Sequence, residues 1–292
     1  MADVAAVTPD KIAQAFIAAC EAELRAPKPG NVHLFAAGHG MEAQDFIDSA
    51  HASAAPLTAP GASVGERILG AIDATWARVG RNTNLGIVLL CAPIAHAALT
   101  GDGADLRARI AVALAQLNRD DADSAFRAIR RARPAGLGAA PQHDVALPAR
   151  TTLLEAMRAA AHRDRIAFQY AGGFEDVLGT GAAALARARA QGLDEQMSTL
   201  WLYVEFLCAF PDSHVVRKFG QDAGAQLMAE ARAFASLLGA APNRDSAFAA
   251  ALTWDRSLKA RRINPGTSAD LTVAALFADY AASILANADK NG

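Results

Sequence analysis

Four groups of polar and charged residues separate the apolar stretches of this chain. They comprise Lys28 and Asn31 with His39 and Asp45 beyond them, residues 81–84, residues 211–218 and residues 261–270. Loops on a rigid scaffold commonly carry functional groups, because the scaffold fixes their positions. The second group, Arg81-Asn82-Thr83-Asn84, runs directly into an apolar stretch at residues 87–99. We therefore expect a buried central helix whose N-terminus carries a polar, anion-binding loop.

The chemistry of these groups suits a polyphosphate ligand. Arginine can contact two phosphate oxygens at once, lysine adds charge, and the helix N-termini after Gly86 and Gly266 offer free N–H groups. The candidate phosphate- and substrate-binding residues are Lys28, Asn31, Arg81, Asn82, Thr83, Asn84, Arg217, Lys218, Asn264, Thr267 and Ser268. Carboxylates can hold Mg²⁺ together with phosphates and water, and the candidates are Asp45, Glu66, Asp212 and Asp270. The candidates for proton transfer are Asp212, Asp270 and His214.

Each group also has a purely structural interpretation. Asn82 and Asn84 are favoured helix-capping residues, and the Asn-Pro-Gly sequence at residues 264–266 is typical of an ordinary turn. Asp212 is a suitable cap for the helix that carries the following basic residues. By themselves, these groups support only a helical protein that binds a phosphorylated ligand.

The elements that position these groups are predicted to be helices. Apolar residues make up 52% of the 292 residues and aromatic residues only 6%, and alanine, the best helix former, is abundant. Apolar periodicity predicts helices at about residues 9–25, 42–55, 64–79, 106–117, 120–133, 151–161, 163–170, 174–191, 194–210, 221–238, 245–261 and 268–288. The stretch at residues 56–61 is expected to end the second of these, and residues 134–150 are expected to form a long loop or lid. We expect an all-α fold with one domain over residues 1–292.

Composition and length argue against several classes of protein. The net charge of −2 and the lack of a basic block with interleaved aromatic residues argue against nucleic-acid binding. The stretch at 87–99 is shorter than the roughly 20 residues that span a bilayer, and the N-terminus lacks the features of a signal peptide. Cys20, Cys91 and Cys208 lack metal-ligand spacing and are expected to be buried free thiols. We expect a cytoplasmic protein without a membrane partner, and homo-oligomerisation is left open.

Three segments resemble the signature segments of one family. They are Pro27-Lys28-Pro29-Gly30-Asn31-Val32, residues 80–86 (Gly-Arg-Asn-Thr-Asn-Leu-Gly) and residues 264–271 (Asn-Pro-Gly-Thr-Ser-Ala-Asp-Leu). Their order and spacing are similar to those of the triphosphoribosyl-dephospho-CoA synthase family, over about residues 10–285. Three short motifs in the same order are more specific than any one of them. The resemblance also implies an all-helical fold.

The reaction implied by this resemblance is a ribosyl transfer from ATP to 3′-dephospho-CoA, the two small-molecule nucleotide substrates. The ribose C1 of ATP joins the 2′-hydroxyl of the acceptor, and adenine leaves. Such a reaction uses a base at the hydroxyl, an acid at adenine, and cations or Mg²⁺ at the triphosphate. On this basis Lys28, Arg81, Arg217 and Lys218 bind phosphates, Asn82, Thr83 and Asn84 orient the ribose or a phosphate, and Asp212 and Asp270 act as base or metal ligand.

The sequence departs from the family pattern at places that bear on the acceptor. Asn84-Leu85 stands where the citrate-lyase type has His-Lys, and residues 212–220 lack its D-T-N-V and R-G-G segments. Short relatives of similar sequence occur where methanopterin-type one-carbon carriers are made. Phosphoribosyl transfer to a ribitol hydroxyl is therefore one alternative. A helical nucleotide-binding protein without turnover is another, because the sequence has no unmistakable catalytic dyad.

Overall fold

The computed structural model describes residues 6–101, 105–134, 138 and 142–290. These residues form fourteen α-helices, a π-helical segment at Asp176–Gly181, and no strand beyond two isolated bridges. The helices are α1 (Pro9–Arg25), α2 (Ala43–Leu57), α3 (Val64–Val79), α4 (Leu85–Thr100), α5 (Leu106–Ala115), α6 (Arg119–Ala132), α7 (Leu153–Ala160), α8 (Arg165–Ala171), α9 (Ala182–Ala190), α10 (Glu195–Ala209), α11 (Ser213–Phe219), α12 (Gln221–Gly239), α13 (Arg244–Ala260) and α14 (Gly266–Asp289). The predicted all-α fold is confirmed.

Two buried helices form the scaffold of the fold. Helix α4 has no charged side chain, and it packs against α3, α5 and α14. Helix α14 packs against α1, α4 and α10. By length and composition α14 could cross a membrane, yet 61% of its most apolar window is buried inside the protein, as in the core helix of a globular protein. The N-termini of α4 and α14 lie within the second and third motif segments.

Most helix starts follow the capping chemistry of the sequence. Thr8 Oγ1 accepts a hydrogen bond from Lys11 N at 3.3 Å, with Pro9 at the first helical position. Helix α2 ends at Leu57, within the predicted breaking stretch at residues 56–61, although Pro56 itself is still helical. Pro56 has no N–H group, so the last turn of α2 lacks one backbone hydrogen bond. The helix predicted at 174–191 is continuous over residues 176–190, but its first part, Asp176–Gly181, is π-helical and leads directly into α9.

The loop between α1 and α2 is fixed against the loop before α14. Gly30 has φ +83°, and a Cβ at this position would lie 2.9 Å from Pro265 Cδ. Only glycine allows both this conformation and this approach. Gly30 N donates to Asp255 Oδ1 of α13 at 2.9 Å, and His39 Nε2 lies 2.8 Å from Gly30 O. The first motif segment is therefore held in place from three sides.

The three cysteines are free thiols. Cys20 and Cys91 are buried as expected. Cys208 is only half-buried, which corrects the expectation for that residue, because the end of α10 is only partly covered by its neighbours.

Candidate active site

A cavity of about 560 Å³ lies at the first turns of α4 and α14. Gly86 of α4 and Gly266 of α14 line it, together with Ile166 of α8 and His214 of α11. First-turn N–H groups have no partner within their own helix, and the N-terminus is the positive end of the helix dipole. This part of the wall is therefore suited to an anionic group.

Another part of the cavity wall is apolar. Phe126 and Ile129 of α6 and Leu153 and Met157 of α7 line it. The described part of the predicted 134–150 loop also borders the cavity, while residues 135–137 and 139–141 lie outside the described residues. A ligand with a charged end and an uncharged part fits such a divided wall.

The three motif segments meet at this cavity. Asn31 Nδ2 of the first segment donates to Asn264 Oδ1 of the third at 2.8 Å, and both residues line the cavity. Gly86 of the second segment lies against Asp270 of the third. A Cβ at residue 86 would be 2.0 Å from Asp270 Oδ2. Glycine is therefore required at residue 86 for the carboxyl group to occupy its position.

Asp270 lines the cavity as a carboxyl group without a counter-ion. None of the described residues forms an ion pair or a hydrogen bond with its side chain. Burial raises the pKa of Asp270 well above its usual value, and the charges of Glu23, Asp212 and Asp164 raise it further, while Arg217 acts in the opposite direction. The protonated acid is therefore favoured more strongly than in an ordinary aspartate.

Asp212, in contrast, has its acceptor positions filled. Its Oδ1 accepts from His214 N at 2.9 Å and Val215 N at 3.1 Å, and its Oδ2 accepts from Ser268 N and Ser268 Oγ at 2.8 Å each. Burial raises the pKa of Asp212, and these hydrogen bonds counteract the rise. Neither Asp212 nor Ser268 lines the cavity. The pair joins the starts of α11 and α14, in agreement with the capping interpretation.

His214 contacts the cavity from the start of α11. Its ring lies over Gly266, where a Cβ would be 2.5 Å from His214 Nδ1, and its backbone N also donates to Thr267 Oγ1 at 3.1 Å. Thr267 lines the cavity as well. Burial, followed by the charges of Arg217 and Lys218, lowers the pKa of His214 to about 4. The imidazole is therefore neutral at pH 7 and acts as a hydrogen-bonding group.

Lys28 does not reach the cavity to which it was predicted to contribute a cation. It is fully buried, with its Nζ 2.6 Å from Glu23 Oε1, and it donates to Asn31 Oδ1 at 3.0 Å and Val32 O at 2.6 Å. These contacts use all three donors of the ammonium group. Burial lowers the pKa of Lys28 and raises that of Glu23, and their ion pair opposes both shifts. Lys28 thus positions Asn31 and neutralises Glu23.

The polar loop before α4 combines structural and cavity contacts. Asn82 and Thr83 line the cavity, and Asn82 Oδ1 also accepts from Leu85 N at 3.2 Å. Thr83 Oγ1 lies 2.6 Å from a serine hydroxyl of α2. Asn84 does not line the cavity, and its Nδ2 donates to the second serine of α2, Ser53, at 3.3 Å. Asn82 and Thr83 remain candidates for ligand contact, whereas Asn84 holds the loop against α2.

Two guanidinium groups line the cavity. Arg217 was predicted, and its Nη1 lies 3.4 Å from Asp164 Oδ2. Arg163 lines the cavity without having been predicted. Lys218 is exposed and is not part of the wall, because it lies one residue beyond Arg217 and therefore on another face of α11.

The carboxylates predicted to bind Mg²⁺ are not brought together. Asp45 accepts from a backbone N–H at the start of α2 and lies 3.5 Å from Arg81, which is exposed and donates to Gly40 O. Glu66 caps α3 and is exposed. Of the predicted metal ligands, Asp270 is the one that lines the cavity. The part of the chain that the structure describes contains no group of three or more His, Cys, Asp or Glu residues that could hold a metal ion.

The sequence interpretation missed three acidic residues in the cavity wall, Glu23, Asp144 and Asp164. A signal for Glu23 was available, because Phe16, Cys20 and Glu23 follow helical spacing and place a carboxylate on the buried face of α1. A buried charge needs a partner, which points to a special environment. Asp164 gives no comparable signal, since it is typical of an ordinary helix cap and its Oδ1 does accept from Ile166 N and Ala167 N.

Comparison with known proteins identifies the family. A family model, CitG, described as ATP:dephospho-CoA triphosphoribosyl transferase, matches residues 9–288, whereas comparison with curated proteins gives no match. A solved structure from Archaeoglobus fulgidus, described as a candidate triphosphoribosyl-dephospho-CoA synthase, is similar with a TM-score of 0.61 and 22% identity, over 79% of this chain and 95% of that chain. At this identity the likeness supports the fold. The resemblance seen in the three motifs is confirmed by the family model, and the chain belongs to the ATP:dephospho-CoA triphosphoribosyl transferase family.

Proposed function

We propose that this protein transfers the triphosphoribosyl group of ATP to the 2′-hydroxyl of 3′-dephospho-CoA and releases adenine. Family membership supports the reaction class and the two substrates. The observation that carries the site assignment is Asp270, a carboxyl group without a counter-ion at the point where the three motif segments meet. Neither the family model nor the similar structure points to a methanopterin-type carrier or to a protein without turnover.

Asp270 is assigned to the departing adenine. In this reaction the bond between ribose C1 and the adenine nitrogen breaks, and adenine leaves with the electron pair and needs a proton. Because burial raises the pKa of Asp270, its carboxyl group is suited to donate that proton. This assignment replaces the role of base or metal ligand that the sequence suggested.

The triphosphate is assigned to the positively polarised part of the wall. The N-termini of α4 and α14 contribute the positive ends of their helix dipoles, while Leu85 N and Ser268 N donate to Asn82 and Asp212 within the protein. Arg163 and Arg217 add two cations, and Thr267 adds a hydroxyl. Mg²⁺ enters as part of the MgATP substrate, since it binds phosphate oxygens and water readily and needs few protein ligands. The apolar wall between α6 and α7 then faces the uncharged parts of the substrates.

The proposal involves small nucleotides as partners and no nucleic acid or membrane. Both substrates are soluble anions, and the polarised wall accounts for their recognition without a further macromolecule. We expect the enzyme to act in the cytoplasm.

Adenine release tests the reaction directly. The purified chain is incubated with MgATP, with and without dephospho-CoA, and adenine and the coupled product are measured by liquid chromatography and mass spectrometry. We expect equal amounts of adenine and product, formed only when both substrates are present, and loss of both when EDTA removes Mg²⁺. A pterin precursor with phosphoribosyl diphosphate serves as the matched alternative pair. Product from that pair alone, or no adenine from any pair, would contradict the proposal.

A further inference from the structure

Glu23 is a buried carboxylate with one oxygen left for a ligand. It is 4% exposed, yet it lines the 560 Å³ cavity from α1. Its Oε1 lies 2.6 Å from Lys28 Nζ. Within the described ranges, no residue donates a hydrogen bond to Glu23 Oε2. The ion pair therefore fixes the side chain through one oxygen, and the other oxygen retains its full capacity to accept a proton.

Glu23 and Asp270 are two carboxyl groups in one cavity that differ in their partners. Glu23 is paired with a buried ammonium, whereas Asp270 has no cation within bonding distance among the described residues. The two are close enough for the charge of Glu23 to raise the pKa of Asp270. When neighbouring carboxyl groups differ in this way, the group paired with the cation stays ionised and the other group takes the proton.

Asp212, which was predicted from the sequence, and Asp164, which was not, already have hydrogen-bond or ion-pair partners within the protein. Asp212 accepts four hydrogen bonds and does not line the cavity. Asp164 caps α8 through Oδ1, and its Oδ2 lies 3.4 Å from Arg217 Nη1. Asp144 also lines the cavity, and its Oδ1 accepts from Ala146 N at 2.8 Å. The ionised oxygen of Glu23 is consequently the best-placed proton acceptor on this part of the wall.

We propose that Glu23 is the general base that accepts the proton of the acceptor hydroxyl, held ionised by Lys28. This inference rests on the ribosyl transfer proposed above. The hydroxyl oxygen forms the bond to ribose C1 as its proton moves to Glu23, and the bond from C1 to adenine breaks as adenine takes the proton of Asp270. After turnover, one proton passes from Glu23 to Asp270 through solvent, which restores both groups. No further reactant is consumed.

Glu23→Gln tests this role at nearly constant shape. The amide oxygen still accepts from Lys28, which keeps its contacts to Asn31 and Val32, but the amide cannot take a proton. We expect kcat to fall about 100- to 10,000-fold, the range of general acid–base catalysis, with ATP affinity within about threefold. We also expect the acid limb of the pH profile of kcat/KM to disappear. Glu21→Gln, a half-buried position on the same helix that pairs with Arg25, is the matched control and should keep kcat within about twofold.

A second variant keeps the test decisive if the buried Lys28 charge prevents the Gln variant from folding. Glu23→Gln combined with Lys28→Met removes both charges, and folded protein is verified by thermal melting before kcat is measured at saturating substrates. Wild-type protein in the same assay separates the two proposals. If wild type shows no adenine release that depends on dephospho-CoA, the proposed function fails. If wild type is active and the Glu23 variant keeps kcat within about fivefold, or loses kcat while retaining the acid limb, the Glu23 assignment alone is wrong.

Discussion

Two aspartates near the N-terminus of α14 have opposite surroundings. Asp212 caps the neighbouring helix α11, and Asp270 belongs to α14 itself. At the junction with α11, Asp212 accepts four hydrogen bonds, two of them from Ser268. At the cavity wall beside Gly86, Asp270 has no partner among the residues that the structure describes. Both aspartates were predicted to be catalytic from the sequence. Their hydrogen-bond partners indicate different roles. A carboxylate whose acceptor positions are all filled stabilises the fold, whereas one without partners that faces a cavity is available for a substrate.

The largest effect is expected for Asp270→Asn. An amide cannot donate an acidic proton, so kcat should fall about 100- to 10,000-fold. Removing a half-buried carboxyl group that lacks a cation should leave the free energy of unfolding at neutral pH unchanged or raise it. Adenine release measures the first effect and chemical denaturation the second. Asp279→Asn on the same helix, where the carboxylate pairs with Arg189 at the surface, is the control and should keep its turnover. Full turnover in the Asp270 variant would remove this residue from the mechanism.

The second-largest effect is expected for Gly86→Ala, which displaces the carboxyl group of Asp270 without removing it. In Gly86→Ala the new Cβ would lie 2.0 Å from Asp270 Oδ2, so the carboxyl group must move. A displacement of about 1 Å can reduce turnover about 100-fold, and we expect at least that loss in kcat. Gly70→Ala on α3 meets only Pro56 Cβ, at 3.2 Å, and should leave kcat unchanged. If both alanine variants turn over like wild type, the position of Asp270 does not matter for the reaction.

The third prediction concerns pH. The pKa of Asp270 in the folded protein is raised, so the folded state binds this proton more tightly than the unfolded chain. Its contribution to stability is therefore present below the unfolded pKa and is lost as pH rises through the folded pKa. Since the protonated form is the acid, kcat/KM should fall about tenfold per pH unit above that pKa. His214, with a pKa of about 4, contributes no limb near neutral pH. If kcat/KM of Asp270→Asn still falls at high pH as in the wild type, the ionisation of another group causes that fall.

Local patterns in the sequence predicted much of the fold and part of the site. Apolar periodicity and caps such as Thr8 give the helices, because these effects act over one or two turns. The convergence of Asn31 with Asn264 could be expected only from the family resemblance, because the contact joins residues 233 positions apart. The same limit applies to Lys28, whose residue type suggests phosphate binding, whereas the folded chain buries it beside Glu23. Burial and long-range partners are properties of the folded chain.

The smallest effect on turnover, and a clear effect on stability, is expected for Asp212→Asn. The new Nδ2 cannot accept from Ser268 N, which leaves a buried donor without its acceptor and should lower the free energy of unfolding by about 1–3 kcal/mol. Turnover of the folded fraction should stay within about threefold, because Asp212 does not line the cavity. Ser268→Ala is the graded control, since it removes the hydroxyl donor and retains the backbone one, and should cost about 0.5–1.5 kcal/mol. If Asp212→Asn instead folds like wild type and loses turnover as Asp270→Asn does, the two aspartates act together in catalysis and the contrast between their regions is wrong.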